Sequence, residues 1–157
     1  MLNQKDLNKI KKEIREFFSK MTFEVQVEVL PQQEELLPAD LKTEEPQILI
    51  GERGETLMEI QRLLRLILRK KISREEPFYI DLDVNDYKKK KIAYLKEMVK
   101  EAAEEVVLTK KEKTLPPMRA FERRIIHLEL ADNPNVKTES IGQEPERQVV
   151  VKPVSSV

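Results

Sequence analysis

The apolar residues of this chain change their spacing abruptly near residue 22, and that change limits its fold more than any other feature. From Leu7 through Ile10, Ile14, Phe17 and Met21 they recur every three or four positions with charge between them, which predicts a helix over about 3–20. In "TFEVQVEVL", 22–30, Phe23, Val25, Val27 and Val29 alternate with Thr22, Glu24, Gln26 and Glu28, the period of a strand with one buried face. A chain that switches period in this way folds as mixed helix and sheet.

The same reading carries to the end of the chain. The acidic stretch 31–45 is open to more than one reading; one is an edge strand in "ELLPADLKT", with Pro38 tolerated only at an edge or a bulge. Leu57, Ile60, Leu64 and Ile67 form one stripe of a helix over 54–71, and Arg62, Arg65 and Arg69 form another. "FYIDLDV", 78–84, alternates as a strand. Asn85 or Asp86 caps a long helix, buried through Ile92, Leu95, Met98, Val99, Ala102 and Val106, that runs to about Lys110. "TLPP" breaks it, and Pro117 opens a further helix in "MRAFERRIIHLELAD". Strands over about 136–141 and 147–152 turn around Gly142 and Pro145. The predicted class is therefore α+β in two small modules, 1–84 and 85–153, with a tail at 154–157.

Composition removes most chemistry. With no cysteine and one histidine, the chain has no disulfide, thiolate nucleophile, Fe–S cluster, cysteine zinc site or multi-histidine metal site. Glu34-Glu35, Glu44-Glu45 and Glu104-Glu105 lie in charged segments without an apolar pocket to raise a carboxyl pKa. Neither an enzyme nor a cofactor is expected. No apolar run reaches the length of a membrane span and the start lacks a signal-peptide core, so the expected location is the cytoplasm with no membrane partner. Charge sums to zero, 29 basic against 29 acidic residues, yet 21–45 is strongly acidic while 61–74 is basic without an acid.

Two of the three glycines stand three apart in "IGERGETL", just before the cationic helix. The plain reading is a turn with a helix cap. The functional one is that Gly51 and Gly54 let a nucleic-acid backbone approach the chain beside Glu52 and Arg53, at a helix N-terminus that suits phosphate. Arg62 and Arg65 would flank it. The glycine-rich motifs of nucleotide-binding enzymes are missing. In "AFERRIIHLEL", Arg123 and His127 are four apart and share a helical face, with Arg119 and Arg124 extending the basic surface. They would hold phosphate or ribose and stack on or hydrogen-bond a base, while Phe121, Ile125 and Leu128 point into a core. Read blandly, the histidine is a helix-surface or half-buried residue without function. The run Lys88 to Lys91 is a solvated face or the cationic wall of a groove between the modules.

Helix, strand, strand, "ILIGERGETL", helix and strand together resemble a type II KH domain, whose G-x-x-G loop clamps about four nucleotides of a single strand. That resemblance implies the order α-β-β-α-α-β for 1–84. The glutamine in "EIQRLLRLIL" is similar to the bacterial Jag family, and "PPMRAFERRIIHLEL" with its flanks resembles the R-three-H domain that follows KH in that family. It implies cytoplasmic binding of single-stranded RNA, with single-stranded DNA as a second ligand, in a post-transcriptional or RNA-chaperone role. A protein partner or a second copy of the chain would be further partners. Two departures stand out. Glu52 occupies a loop position often basic in the family and should weaken phosphate contact, and because the sequence starts almost at the first KH helix, the resemblance is expected to exclude the further N-terminal domain of many members. A protein-interaction adaptor that keeps the KH-like fold is the alternative.

Overall fold

The computed structural model describes residues 1–72 and 77–154. The chain divides into two compact units, Met1–Lys88 and Lys89–Val157. The division falls a few residues beyond the expected Val84–Asn85 boundary, because Lys88 is tied backwards: its N–H donates to Asp83 Oδ1 (3.0 Å) and its ammonium meets Asp81 (2.5 Å). The expected tail lies outside the described residues after Val154, as does Arg74 of the basic stretch.

In the first unit, helix α1 (Gln4–Lys20) starts where the Asn3 side chain accepts the Asp6 N–H at 2.9 Å. It buries Ile10, Ile14 and Phe18, while Met21 is exposed and Phe17 packs edge-on against Phe18. Strand β1 (Gln26–Val29) is shorter than the alternation predicts, since its partner runs out: Gln26 faces Lys42, the last residue of β2 (Leu36–Lys42). Phe23 and Val25 still pack against the core.

The expectation of an edge strand at 31–45 is corrected. β2 is the central strand, antiparallel to β1 and parallel to β3 (Tyr79–Val84). Proline survives there for a local reason. The Pro38 carbonyl accepts from Leu30 N–H (2.9 Å), so the missing Pro38 donor also faces the β1 side, one step past β1's last paired residue. One ladder bond is lost at a frayed end, and the β3 side is intact.

Pro46 opens the short helix α2 (Pro46–Ile50), and a tight turn at 52–54 leads into α3 (Glu55–Lys71). Val27, Leu37, Ala39, Leu41, Ile80 and Leu82 bury one face of the sheet with the α1 and α3 side chains. Across the other run Glu28, Asp40 and Asp83 in register, an acidic row.

In the second unit, α4 (Tyr87–Thr109) buries Leu95, Val99, Ala102, Ala103 and Val106, but Ile92 is exposed. The segment expected to be a plain break contains strand β4 (Lys113–Thr114), which pairs with β6 (Gln148–Pro153) and continues extended through Leu115 and Met118, bonded to Val149 and Arg147. Helix α5 (Ala120–Glu129) therefore begins later than Pro117. β5 (Val136–Ile141) completes a sheet of order β4-β6-β5. Among the described residues the architecture is mixed α+β with two three-stranded sheets. Among the described residues no helix is long and apolar enough to cross a membrane.

Candidate nucleic-acid interface

The two loop glycines are required by the chain itself. Gly51 has φ 69° and ψ −176°, a region of backbone space that only glycine occupies readily, and a Cβ there would overlap Thr56, 2.7 Å from its Cβ and 3.0 Å from its backbone N. Gly54, left-handed at φ 78°, is buried with the Tyr87 ring 3.0 Å from where its Cβ would stand. What comes close to both is protein. Between them Glu52 and Arg53 are exposed, and Arg53 is itself left-handed (φ 51°). Gly54 stands at the N-cap of α3 and has no side chain with which to cap it, while the Glu55 N–H bonds back to the Glu52 carbonyl.

On α3, Arg62 is exposed and faces away from the buried stripe of Leu57, Ile60, Leu64 and Leu68. Arg65 has another task. Its Nε donates to the Ile80 carbonyl (3.2 Å) and its guanidinium lies 5.8 Å from the Tyr79 ring centroid, while Gln61, one turn earlier, accepts the Leu82 N–H at 2.8 Å. Those strand groups face the open edge of β3, so the i,i+4 pair caps that edge. Expected as a phosphate contact, Arg65 is first a strut of the sheet.

Arg123 and His127 share a face of α5, as their spacing predicts, but that face is turned inward. The expected burial of Phe121 and Leu128 is corrected: they are 50% and 64% exposed, whereas Glu122, Arg123, Ile126 and Leu130 are buried. The buried arc lies about one residue further along than the reading placed it. Arg123, 7% exposed, donates through Nη1 to the Met118 carbonyl (2.6 Å) and pairs through Nη2 with Glu144 (2.8 Å). Arg124 is exposed beside Phe121 and Leu128. Half-buried Arg119 precedes the helix, its N–H donating to Glu122 (2.8 Å).

His127 is fixed at both ends. Nδ1 meets Thr138 Oγ1 at 2.6 Å and Nε2 meets Ser140 Oγ at 2.7 Å. Thr138 and Ser140 alternate along β5 and so share its face, a pairing with α5 that the sequence does not announce. Burial first, and the Arg123 charge second, hold the imidazole below its ordinary pKa of 6.5. With the charged form disfavoured in the fold, this group's stabilisation is complete above pH 6.5 and is lost as pH falls through the folded value. Because the chain has one histidine, its imidazole carbon-bound protons should titrate in an NMR series as one curve centred below 6.5. Combined T138A and S140A should remove the side-chain atoms that cover both ring nitrogens, admit water and move the midpoint upward. A wild-type midpoint above 6.5 would contradict the buried, hydroxyl-held ring.

The lysine run is largely engaged: Lys88 binds Asp81 and Gln61, and Lys91 sits 3.4 Å from the buried Glu122. No group of three or more acids or histidines able to hold a metal ion occurs among the described residues.

The sequence pattern of the R-three-H domain matches residues 93–153, the segment that contains α5 and its sheet. RNA-binding protein KhpB of Clostridium symbiosum is 34% identical over 139 residues, 88% of this chain and 62% of that protein. RNA-binding protein KhpB of Lactiplantibacillus plantarum is 39% identical over 104 residues, 66% of this chain and 32% of its own length. The Bacillus subtilis protein of the same name is 33% identical over 110 residues, 69% of this chain and 52% of that protein. The chain thus spans between about a third and three fifths of the length of these curated relatives.

Proposed function

We propose, from the premise that the chain carries an R-three-H domain and is homologous to Jag-family proteins named RNA-binding protein KhpB, that it is a non-catalytic, cytoplasmic binder of single-stranded RNA. It would serve a post-transcriptional or RNA-chaperone role. One contact is the loop Gly51, Glu52, Arg53 and Gly54 with Arg62, in a unit read as a type II KH domain. The second is the α5 surface, with Arg124 and Arg119 outermost and Arg123 and His127 behind them.

The observation that carries the first contact is the exposed Arg53 between two positive-φ glycines, at a helix N-terminus with no side-chain cap. The guanidinium and the positive end of the α3 dipole converge there on the kind of site that takes phosphate. The element order α1-β1-β2-α2-α3-β3 agrees with the order that the KH resemblance implies. The sheet face away from the core supports the same path by repulsion, since exposed Glu28 and half-buried Asp40 stand in register there, while Asp83 is buried and held by the Val84 and Lys88 N–H groups. Both His127 nitrogens are bonded to hydroxyls, so the ring offers a base its face rather than a hydrogen bond.

Two modest contacts on one chain reinforce each other, because the second forms intramolecularly. Fluorescence-anisotropy titrations with matched single-stranded RNA and DNA pools at two salt concentrations test this. Neutralising about four phosphates gives a slope of log K against log salt of about −3. Salt-independent affinity would reject the phosphate mechanism. No binding at low salt would favour a protein adaptor, for which the exposed Met58, Leu63 and Leu66 on α3 offer a surface.

A further inference from the structure

We infer that Glu144 occupies, within the protein, the position on Arg123 that a ligand phosphate takes, so that RNA engages this arginine by displacing the carboxylate. This rests on the reading of α5 as a nucleic-acid contact. The two groups that hold the guanidinium are unlike each other. Met118 contributes a backbone carbonyl, from a residue that is itself buried, and fixes Nη1. Glu144 holds Nη2 from the connection between β5 and β6, and every residue of that connection, 142–147, is exposed.

The asymmetry extends to the ion pair. The arginine side chain is 8% exposed and the glutamate 57%. A half-solvated carboxylate loses little by returning to water, whereas a buried guanidinium without a counter-charge is costly, so the arginine keeps whatever anion is offered and the glutamate is the removable partner. A carboxylate and a phosphate present the same pair of oxygens to the guanidinium fork, and the phosphate carries the negative charge of the nucleic-acid strand. Direct approach is closed while Glu144 is seated, since its carboxylate lies where a phosphate oxygen would bond Nη2. Glu144 therefore lowers the affinity of the α5 site by holding part of the population in a capped state.

The test compares wild type, E144Q and E146Q by anisotropy titration with single-stranded RNA at several salt concentrations. Glu146 lies in the same exposed connection and its variant changes the charge equally, so it measures the general electrostatic effect. E144Q should bind at least about fivefold more tightly, because a neutral amide holds Nη2 less firmly than a carboxylate and the capped state is depopulated. Its log K against log salt should be steeper by up to about 0.7, one more phosphate fully neutralised. E146Q should change affinity by less than about twofold. If E144Q fails to fold, E144A compared with E146A, which again change the charge equally, makes the same comparison. E144Q binding no more tightly than E146Q would overturn this inference alone, while absence of RNA binding in all variants would overturn the RNA reading and this inference with it.

Discussion

Glutamate in place of both Arg53 and Arg124 should lower the affinity for single-stranded RNA about 100-fold near 0.1 M salt, at about 1.4 kcal/mol for each charge-assisted phosphate contact reversed. Each arginine is exposed, one at the loop and one on α5, so each reversal removes a contact and adds repulsion. The salt slope should fall from about −3 to about −1.5, as two of roughly four phosphate contacts disappear. Unfolding should stay within about 0.5 kcal/mol of wild type, the usual range for surface changes. Paired anisotropy and thermal-unfolding measurements read both quantities. Affinity retained within a factor of about three would reject these two arginines as contacts. Arg65 and Arg123 are poor choices for the same experiment. Removing either guanidinium strips the donor from the Ile80 or the Met118 carbonyl, so a loss of binding would be confounded with damage to the fold.

Helical and two-residue periods are local consequences of side-chain burial, which is why α1, α3, α4, β3, β5 and β6 were legible from the residues alone. The central position of β2 was not. Pro38 argues for an edge only if its missing donor faces a neighbour, and which neighbour it faces depends on where β1 stops. β4 escaped because a ladder of two residues, followed by two prolines, carries no periodic signal.

The α5 site shows a different limit. The four-residue spacing of Arg123 and His127 does place them together, but spacing alone does not say whether a face is turned outward. Phe121 and Leu128 look like core residues by type, yet Arg123 and Glu122 are buried in their place, because each finds partners that make burial tolerable. Those partners, Met118, Lys91 and Glu144, lie on other elements. Gln61 and Arg65 are the converse case: read as family signature and phosphate contact, they also cap the edge of β3, a role visible only once strand order is known.

Gly51→Ala should destabilise the first unit by about 3 kcal/mol, the cost of a side chain in a conformation essentially reserved for glycine together with a steric clash. The cost has no easy release. Turning the Thr56 side chain would relieve its oxygen, but the Thr56 backbone N at 3.0 Å would remain, and φ 69° with ψ −176° would still be forced on alanine. Gly54→Ala should cost less, about 1–2 kcal/mol, because its left-handed conformation is open to other residues at that price and its neighbour is one aromatic ring rather than backbone. Hydrogen exchange of the β2 and β3 amides reports this unit alone. In the regime where exchange follows global opening, they should exchange about 100-fold faster in the Gly51 variant, at 1.4 kcal/mol per factor of ten. The rank order matters for function as much as for stability. A glycine-to-alanine change at position 51 would weaken RNA binding even in a protein whose loop never touches RNA, because it distorts and destabilises the unit, so only the arginine reversals separate clamp from scaffold. Exchange within a factor of about five of wild type in Gly51→Ala would show that the loop tolerates a side chain there, and would leave approach by a ligand backbone as the remaining reason for that glycine.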